Sequence, residues 1–410
     1  MSTLLQVERG RLTASRPPVM LLGGIDLVRA FGLAGIPVIV ASPEAATPAM
    51  VSRHCIGRCI LPPLAQREAV VERLLRAGEE LMSMVGCRVP LFYGDDDYLG
   101  LVQEFGTALS ARYLFLLNDA ALARALHSKA LFQALAESRG LPVPRRLEWE
   151  TLERFDSAVL VKPNVKTAWS SSKVYRKLFG GAGKARIFSS GRAARQNTIV
   201  ERLAPELAFQ EYVPGDDRSL WSFHGFADEG SQLLACFVGR KIRTYPALTG
   251  DSSYLELAHD DALSALGGEI VARLGLKGLF KIDFKRHAET GRFHVLEINA
   301  RSNLWHYLGA KNGVNLAAVA YDHVVRGMRP PALSAGTSYR WLCLSLDRRA
   351  FRASDLGLGQ WLASLFAAPK IYHLFAWDDP LPFLFQLRES ITSLPPRLGR
   401  RVLRWLSTAS

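Results

Sequence analysis

The stretch from Phe293 to His306 reads FHVLEINARSNLWH. It begins as an apolar strand, yet Glu297, Asn299 and Arg301 fall on every second residue. Side chains alternate across a strand, so one face is expected to carry Phe293, Val295, Glu297 and Asn299, and the other His294, Leu296 and Ile298. Just upstream, residues 278–284 read GLFKIDF, a second apolar strand in which Asp283 projects away from Phe280, Ile282 and Phe284. The charged, glycine-containing turn at 285–292 makes the two a hairpin. Pairing sets Asp283 beside Glu297, with Asn299 two residues further on. Two carboxylates in a half-buried place repel and raise each other's pKa. A divalent cation between them removes that cost. Carboxylates and an amide oxygen form a hard, all-oxygen set suited to Mg2+ (or Mn2+), which takes its remaining ligands from water and phosphates. The hairpin therefore reads as a metal platform for a nucleotide.

The rest of the chain frames this platform. Residues 19–41, VMLLGGIDLVRAFGLAGIPVIVA, read as strand, glycine turn, helix and strand, with the buried runs typical of a parallel sheet. The G-x-G-x-x-G dinucleotide fingerprint is missing, so Gly23 and Gly24 are read as a tight turn. Residues 89–105, VPLFYGDDDYLGLVQEF, continue the pattern, with Asp95, Asp96 and Asp97 before a helix. Capping and the helix dipole account for at least one of these acids, and the carboxyl end of a parallel strand is where ligands bind. A helix is predicted from about Ala120 to Arg139, with Lys129 in its middle and Gly140 ending it.

Residues 158–172, AVLVKPNVKTAWSSS, place Lys162 inside an apolar strand, where it needs a partner to offset desolvation. Ser170–Ser172, or the later Gly180, Gly181 and Gly183, could lay backbone N–H groups over phosphates, and both could equally be plain loops. Residues 207–226 contain QEYVPG, an apolar strand ending in a turn. In 239–250, GRKIRTYPALTG, alternation puts Lys241 and Arg243 on one face.

Composition bounds the classes. The 410 residues are 49% hydrophobic and 22% charged, an ordinary globular balance with room for two or three domains. The net charge of +13 suits anionic partners. The basic residues are scattered and no nucleic-acid-binding motif accompanies them, so nucleic acid is not expected as a partner. The five cysteines lack zinc spacing and read as reduced thiols of a cytoplasmic protein. No secretory signal or membrane-spanning run is evident.

In order along the chain, Lys129, Lys162, QEYVPG, GLFKIDF and HVLEINAR resemble the ATP-grasp superfamily, whose members include D-alanine–D-alanine ligase and biotin carboxylase. The likeness covers about residues 19–330. It implies an α/β (α+β) fold: a Rossmann-like domain at 19–120 after an N-terminal extension (1–18), then an ATP-grasp domain at 121–335 with a mobile α+β lid at about 155–210. A C-terminal extension occupies 336–410. The resemblance further implies that Lys129 and Lys162 contact the ATP phosphates and that Ser170–Ser172, with Ser171 at its centre, or Gly180–Gly183 form the phosphate loop. The backbone at Glu211, Tyr212 and Val213 would hold adenine, and Asp216 or Asp217 the ribose. Asp283, Glu297 and Asn299 would bind Mg2+, and Arg301 would stabilise the transferred phosphoryl. Lys241, Arg243 and Arg240 would line the oxyanion side, as guanidinium forks do. Asp97 and His306 are candidate substrate contacts. The compact glycine-rich lid loop of several relatives is not evident after Lys162.

The implied reaction is an ATP-dependent joining of a carboxylate and an amine, both small molecules, through an acyl phosphate. The alternatives are a carboxylase- or kinase-like ATP-grasp enzyme and an ATP-binding regulatory protein without turnover. The resemblance allows a homodimer. In 397–406, Arg397, Arg400, Arg401 and Arg404 form one helical stripe and Leu398, Val402, Trp405 and Leu406 another. Contact with a membrane surface is weighed here against docking on the protein's own domain, and docking is favoured.

Overall fold

The computed structural model describes residues 5–164, 173–180 and 184–392. Its seventeen described strands form three sheets. The first contains β1 (Leu5–Val7), β2 (Val19–Leu22), β3 (Val38–Ser42), β4 (Cys55–Ile60), β5 (Val89–Tyr93) and β6 (Tyr113–Leu114), in the order β1-β4-β3-β2-β5-β6. β2 to β6 are parallel, and β1 runs antiparallel on the edge of β4. Residues 5–7, placed by sequence in an extension, are thus part of the Rossmann-like sheet. The strand order reverses between β2 and β5, where the Gly23–Gly24 turn meets Gly94 and Asp95.

The second sheet is small: β7 (Arg146–Leu147), β8 (Val159–Pro163), β9 (Arg186–Phe188) and β10 (Leu207–Glu211), ordered β7-β10-β8-β9 and antiparallel throughout. It has its own core around Val159, Val161, Phe188 and Phe209.

The third sheet holds β11 (Leu220–Ala227), β12 (Leu233–Tyr245), β13 (Asp251–Leu257), β14 (Gly278–Arg286), β15 (Phe293–Asn299), β16 (Arg340–Leu342) and β17 (Lys370–Tyr372), in the order β15-β14-β11-β12-β13-β16-β17. One face packs Phe223, Phe280, Ile282, Phe284, Val295 and Ile298 under helix Asp261–Leu274. The other face contributes Phe226, Phe237, Leu255 and Leu257 to a core shared with helices Ile25–Leu33, Trp305–Lys311 and Leu316–Arg326. That shared core joins the first sheet to the third and leaves the end of the face near β15 open to a cleft. The last two strands come from the segment read as a C-terminal extension.

The helix predicted over 120–139 is two helices, Ala120–His127 and Lys129–Ser138. Ser128 takes extended backbone between them, and its hydroxyl accepts from the Leu131 N–H, a local N-cap that breaks the run. Lys129 therefore opens a helix instead of sitting within one. Ser171, the glycines at 181 and 183, and the tail stripe at 397–406 lie outside the described residues.

Candidate active site

The β14–β15 register pairs Asp283 with Glu297, Ile282 with Ile298 and Lys281 with Asn299. Directly paired antiparallel residues share a face, so the two carboxylates stand side by side with Asn299 and Lys281 next to them. Simple alternation fails once along β15. The register shifts after Asp283, so that Phe284 pairs with Val295 and Leu296 is the extra residue. This bulge sends Val295 into the core while Glu297 stays on the polar face. Strict alternation would put both on one face.

The pair is held firmly. Asp283, only 6% exposed, accepts a hydrogen bond from Ser222 Oγ on β11 (2.7 Å) and is ion-paired with Lys281 Nζ (2.7 Å). Asn299 Nδ2 donates to Glu297 Oε1 (3.1 Å). The lysine on Asp283 shows that this carboxylate face takes a positive charge. Two carboxylates plus an amide are the oxygen donors a hard divalent ion prefers, so the residues fit Mg2+. Among the described residues no group of three or more His, Cys, Asp or Glu side chains converges, so the third protein donor would be Asn299.

Lysines surround the acids. Lys241 on β12 lies near enough to feel Asp283 and Glu297; burial pushes its pKa down and the two acids push it back up. Lys162 on β8 reaches across from the small sheet. Burial lowers its pKa to about 8, and Glu297 offsets part of that shift. Lys129 Nζ donates to the Pro163 carbonyl (2.7 Å), tying the start of its helix to the end of β8. Lys129, Lys162, Glu297, Asn299, Gln210 and Asp97 all line one cavity of about 230 Å³. The cleft thus sets acids against lysines in a half-desolvated space, where charge–charge interactions are strong.

At the hinge, the Glu211 N–H donates to Arg145 and the Tyr212 N–H to Ala158, both at 2.9 Å. Those two donors are occupied by neighbouring chain, and buried Val213 is the remaining predicted backbone position. Tyr212 Oη accepts from Lys285 Nζ (2.9 Å) and donates to the Gly215 carbonyl (3.1 Å). Burial lowers the Lys285 pKa to about 8, with Asp217 and Asp216 opposing.

Several expected contacts lie elsewhere. Asp217 does not face the cleft as a free ribose ligand: it accepts from Thr244 N (2.7 Å), Thr244 Oγ1 (2.8 Å) and Leu248 N (2.7 Å), and so fixes the loop after β12. Arg243 is not beside Lys241. The β12–β13 register shifts between them, with Ile242 as the extra residue, and Arg243 turns to the opposite face. There it grips the fully buried Asp347 with two bonds of 2.8 Å and lies over the Tyr254 ring. Arg240 shares that face. It pairs with Glu256 (2.7 Å), which also takes Arg340 (2.8 Å). His306 is fully buried, its Nδ1 against Asn303, and burial holds its pKa near 4; it is an interior neutral imidazole, not a cleft residue. Arg301 makes two bonds to Asp96 (2.7 and 3.2 Å) and one to the Gly94 carbonyl (3.3 Å), which bolts the end of β15 to the acidic turn of the first domain. Sequence reasoning missed Ser222 and Lys281. Lys281 was legible, since alternation in 278–284 places it on the Asp283 face.

A cleft of lysines over a paired-acid hairpin, between a small antiparallel sheet and a larger one behind a Rossmann-like domain, is the ATP-grasp fold. The solved structures agree on the fold. L-amino acid ligase of Bacillus licheniformis superposes with a TM-score of 0.54 at 12% identity, covering 77% of this chain and 74% of that one. The biotin carboxylase domain dimer of Hydrogenobacter thermophilus 2-oxoglutarate carboxylase, solved with MgADP, ADP and bicarbonate, gives 0.56 at 13%, covering 79% and 73%. In sequence the chain is similar to D-aspartate ligase of Enterococcus faecium, with 22% identity over 275 residues, 63% of this chain and 64% of that protein. The chain therefore spans just under two thirds of the length of that curated relative. No family model matches the chain.

Proposed function

We propose that the chain is a cytoplasmic ATP- and Mg2+-dependent ligase that joins a small carboxylate to a small amine, releasing ADP and phosphate. The observation that carries this reading is the Asp283–Glu297 pair on one sheet face, with Lys162 and Lys241 close enough to feel it. The likeness to two amino acid ligases and to a carboxylase domain solved with MgADP supports the class of reaction. Asp283, Glu297 and Asn299 would hold the metal, which when bound neutralises phosphate charge and orients the phosphates for in-line transfer.

In the first step a carboxylate oxygen attacks the γ-phosphorus. The bond from that phosphorus to the β-phosphate oxygen breaks, and ADP leaves with the electron pair. In the second step the amine nitrogen attacks the acyl carbon, the carbon–oxygen bond to phosphate breaks, and the amine proton passes to solvent. Phosphoryl transfer of this kind depends on positioning and charge neutralisation. Lys129 and Lys162 act from the side of the small sheet and Lys241 from the floor, each as a fixed positive charge for phosphate or carboxylate oxygens. Arg301 holds the Asp96 turn of the first domain against the end of β15; Asp97 lines the cleft, where an incoming amine would approach.

The test is positional isotope transfer. Purified protein with ATP, Mg2+, an 18O-labelled amino acid pool and an amine pool should place one labelled oxygen in the released phosphate for each bond made. ADP release with no label in phosphate, or release independent of both pools, would refute the reading.

A further inference from the structure

The C-terminal part of the chain presents an apolar surface that the cleft does not use. Helix Leu358–Phe366 contains no charged residue. Its inner side is fixed. Trp361 Nε1 donates to the buried Asp347 (2.8 Å), the Trp361 ring stacks on Phe351 at 4.7 Å, and the Ser364 carbonyl accepts from Tyr254 Oη (2.6 Å). Leu365 packs on the cluster of Ile242, Tyr254 and Leu342. Leu358, Leu362 and Phe366 are spaced by four residues and form one outer stripe, 59%, 40% and 84% exposed. Turning this stripe inward would break the Trp361–Asp347 and Tyr254–Ser364 hydrogen bonds, so it stays outside.

The pattern repeats after β17. Trp377 is 89% exposed, although Asp379 two residues on is locked to Arg29, Ser52 and the Arg53 N–H. Phe375 links Trp377 to Tyr372 and to Phe383. Helix Leu381–Thr392 adds exposed Leu381, Leu384 and Leu387. Of these two groups, the stripe of Leu358, Leu362 and Phe366 is contiguous along one helix face, and an exposed apolar face of this kind marks an interaction surface.

Charge selects the occupant. Arg348, Arg349, Arg352 and Arg388 are exposed around these helices, against exposed Asp355, Asp378 and Glu389. Asp347 and Asp379 are withdrawn into buried ion pairs. A second copy would bring the same positive surface from a chain of net charge +13 and be repelled. An anionic bilayer matches both features: aromatic side chains settle at the headgroup level and basic residues gain from the negative surface potential. We propose that the face built from Leu358, Leu362 and Phe366, with the exposed Arg348, Arg349 and Arg352 of the preceding helix, docks the protein peripherally on anionic lipid.

The experiment is flotation of the full chain with phosphatidylcholine vesicles, with and without phosphatidylglycerol, beside the double variant Leu362→Asp, Phe366→Asp. Wild type should float with phosphatidylglycerol vesicles and be released by salt. The variant should lose about tenfold or more in partitioning while keeping its circular dichroism and its ADP release. No flotation, or equal flotation of the variant, overturns the proposal. So does a wild-type dimer, seen by light scattering, that the variant makes monomeric without any lipid binding. Protection of Leu362 and Phe366 from hydroxyl-radical labelling in the lipid-free monomer also overturns it, because the chain's own tail would then cover the face.

Discussion

Lys162 gives the cleft a pH signature. Its ordinary pKa of 10.5 is lowered to about 8 by burial, with Glu297 restoring part of the loss. Below pH 8 the free protein carries an ammonium there; above it the amine is neutral. Phosphate oxygens beside the amine favour the charged form and draw its pKa back toward the ordinary value, so nucleotide binding above pH 8 takes up a proton. The charged fraction falls from about nine tenths at pH 7 to about one tenth at pH 9, and ATP affinity should weaken about tenfold over that window. At pH 8 binding should take up about half a proton at this site. Titration calorimetry in buffers of different ionisation enthalpy measures the uptake directly. In Lys162→Met the uptake should fall by that amount, leaving what Lys241 and Lys285 supply, and the affinity should depend less on pH. Equal uptake in wild type and variant, or an affinity flat from pH 7 to 9, would refute the role given to Lys162.

Other outcomes follow from the same geometry. Glu297→Gln keeps the shape of β15 but removes one of two paired charges; ADP formation in a coupled assay should drop on the order of a hundredfold, with the thermal midpoint little changed. Arg243→Ala strands the fully buried Asp347 and should cost about 3–5 kcal/mol in urea unfolding, while the folded fraction keeps its activity because Arg243 lies off the cleft. Asp379→Ala leaves the buried Arg29 guanidinium without its carboxylate and should cost a similar amount, about 3–5 kcal/mol, read out as faster proteolysis within 370–392.

The sequence exposed the acid pair because its signal was local. Two short apolar strands joined by a polar turn leave few ways to pair, and Asp283 beside Glu297 follows from the first in-register choice. The βαβ start at Val19–Ala41 was legible for the same reason, as buried runs around a glycine turn. Single-residue bulges defeated the alternation rule. One at Leu296 took Val295 into the core, and one at Ile242 turned Arg243 to the far face. Nothing local marks a bulge when each flanking residue suits either face. The partners of Arg240, Arg243 and Asp217 were equally hidden, since Glu256, Asp347 and Thr244 meet them only after the sheet assembles. β16 and β17 are three-residue strands, β16 paired on the edge of β13 and β17 on β16, so composition gave them no distinct signal.

The central claim, that Asp283 and Glu297 present a divalent ion to the nucleotide in this cleft, is tested most directly by Mn2+ titration followed by electron paramagnetic resonance, with and without a non-hydrolysable ATP analogue. The account predicts that the analogue tightens Mn2+ binding to the wild type, and that Asp283→Asn and Glu297→Gln each weaken the ternary complex by about tenfold or more. Mn2+ bound equally well by wild type and both variants would contradict it.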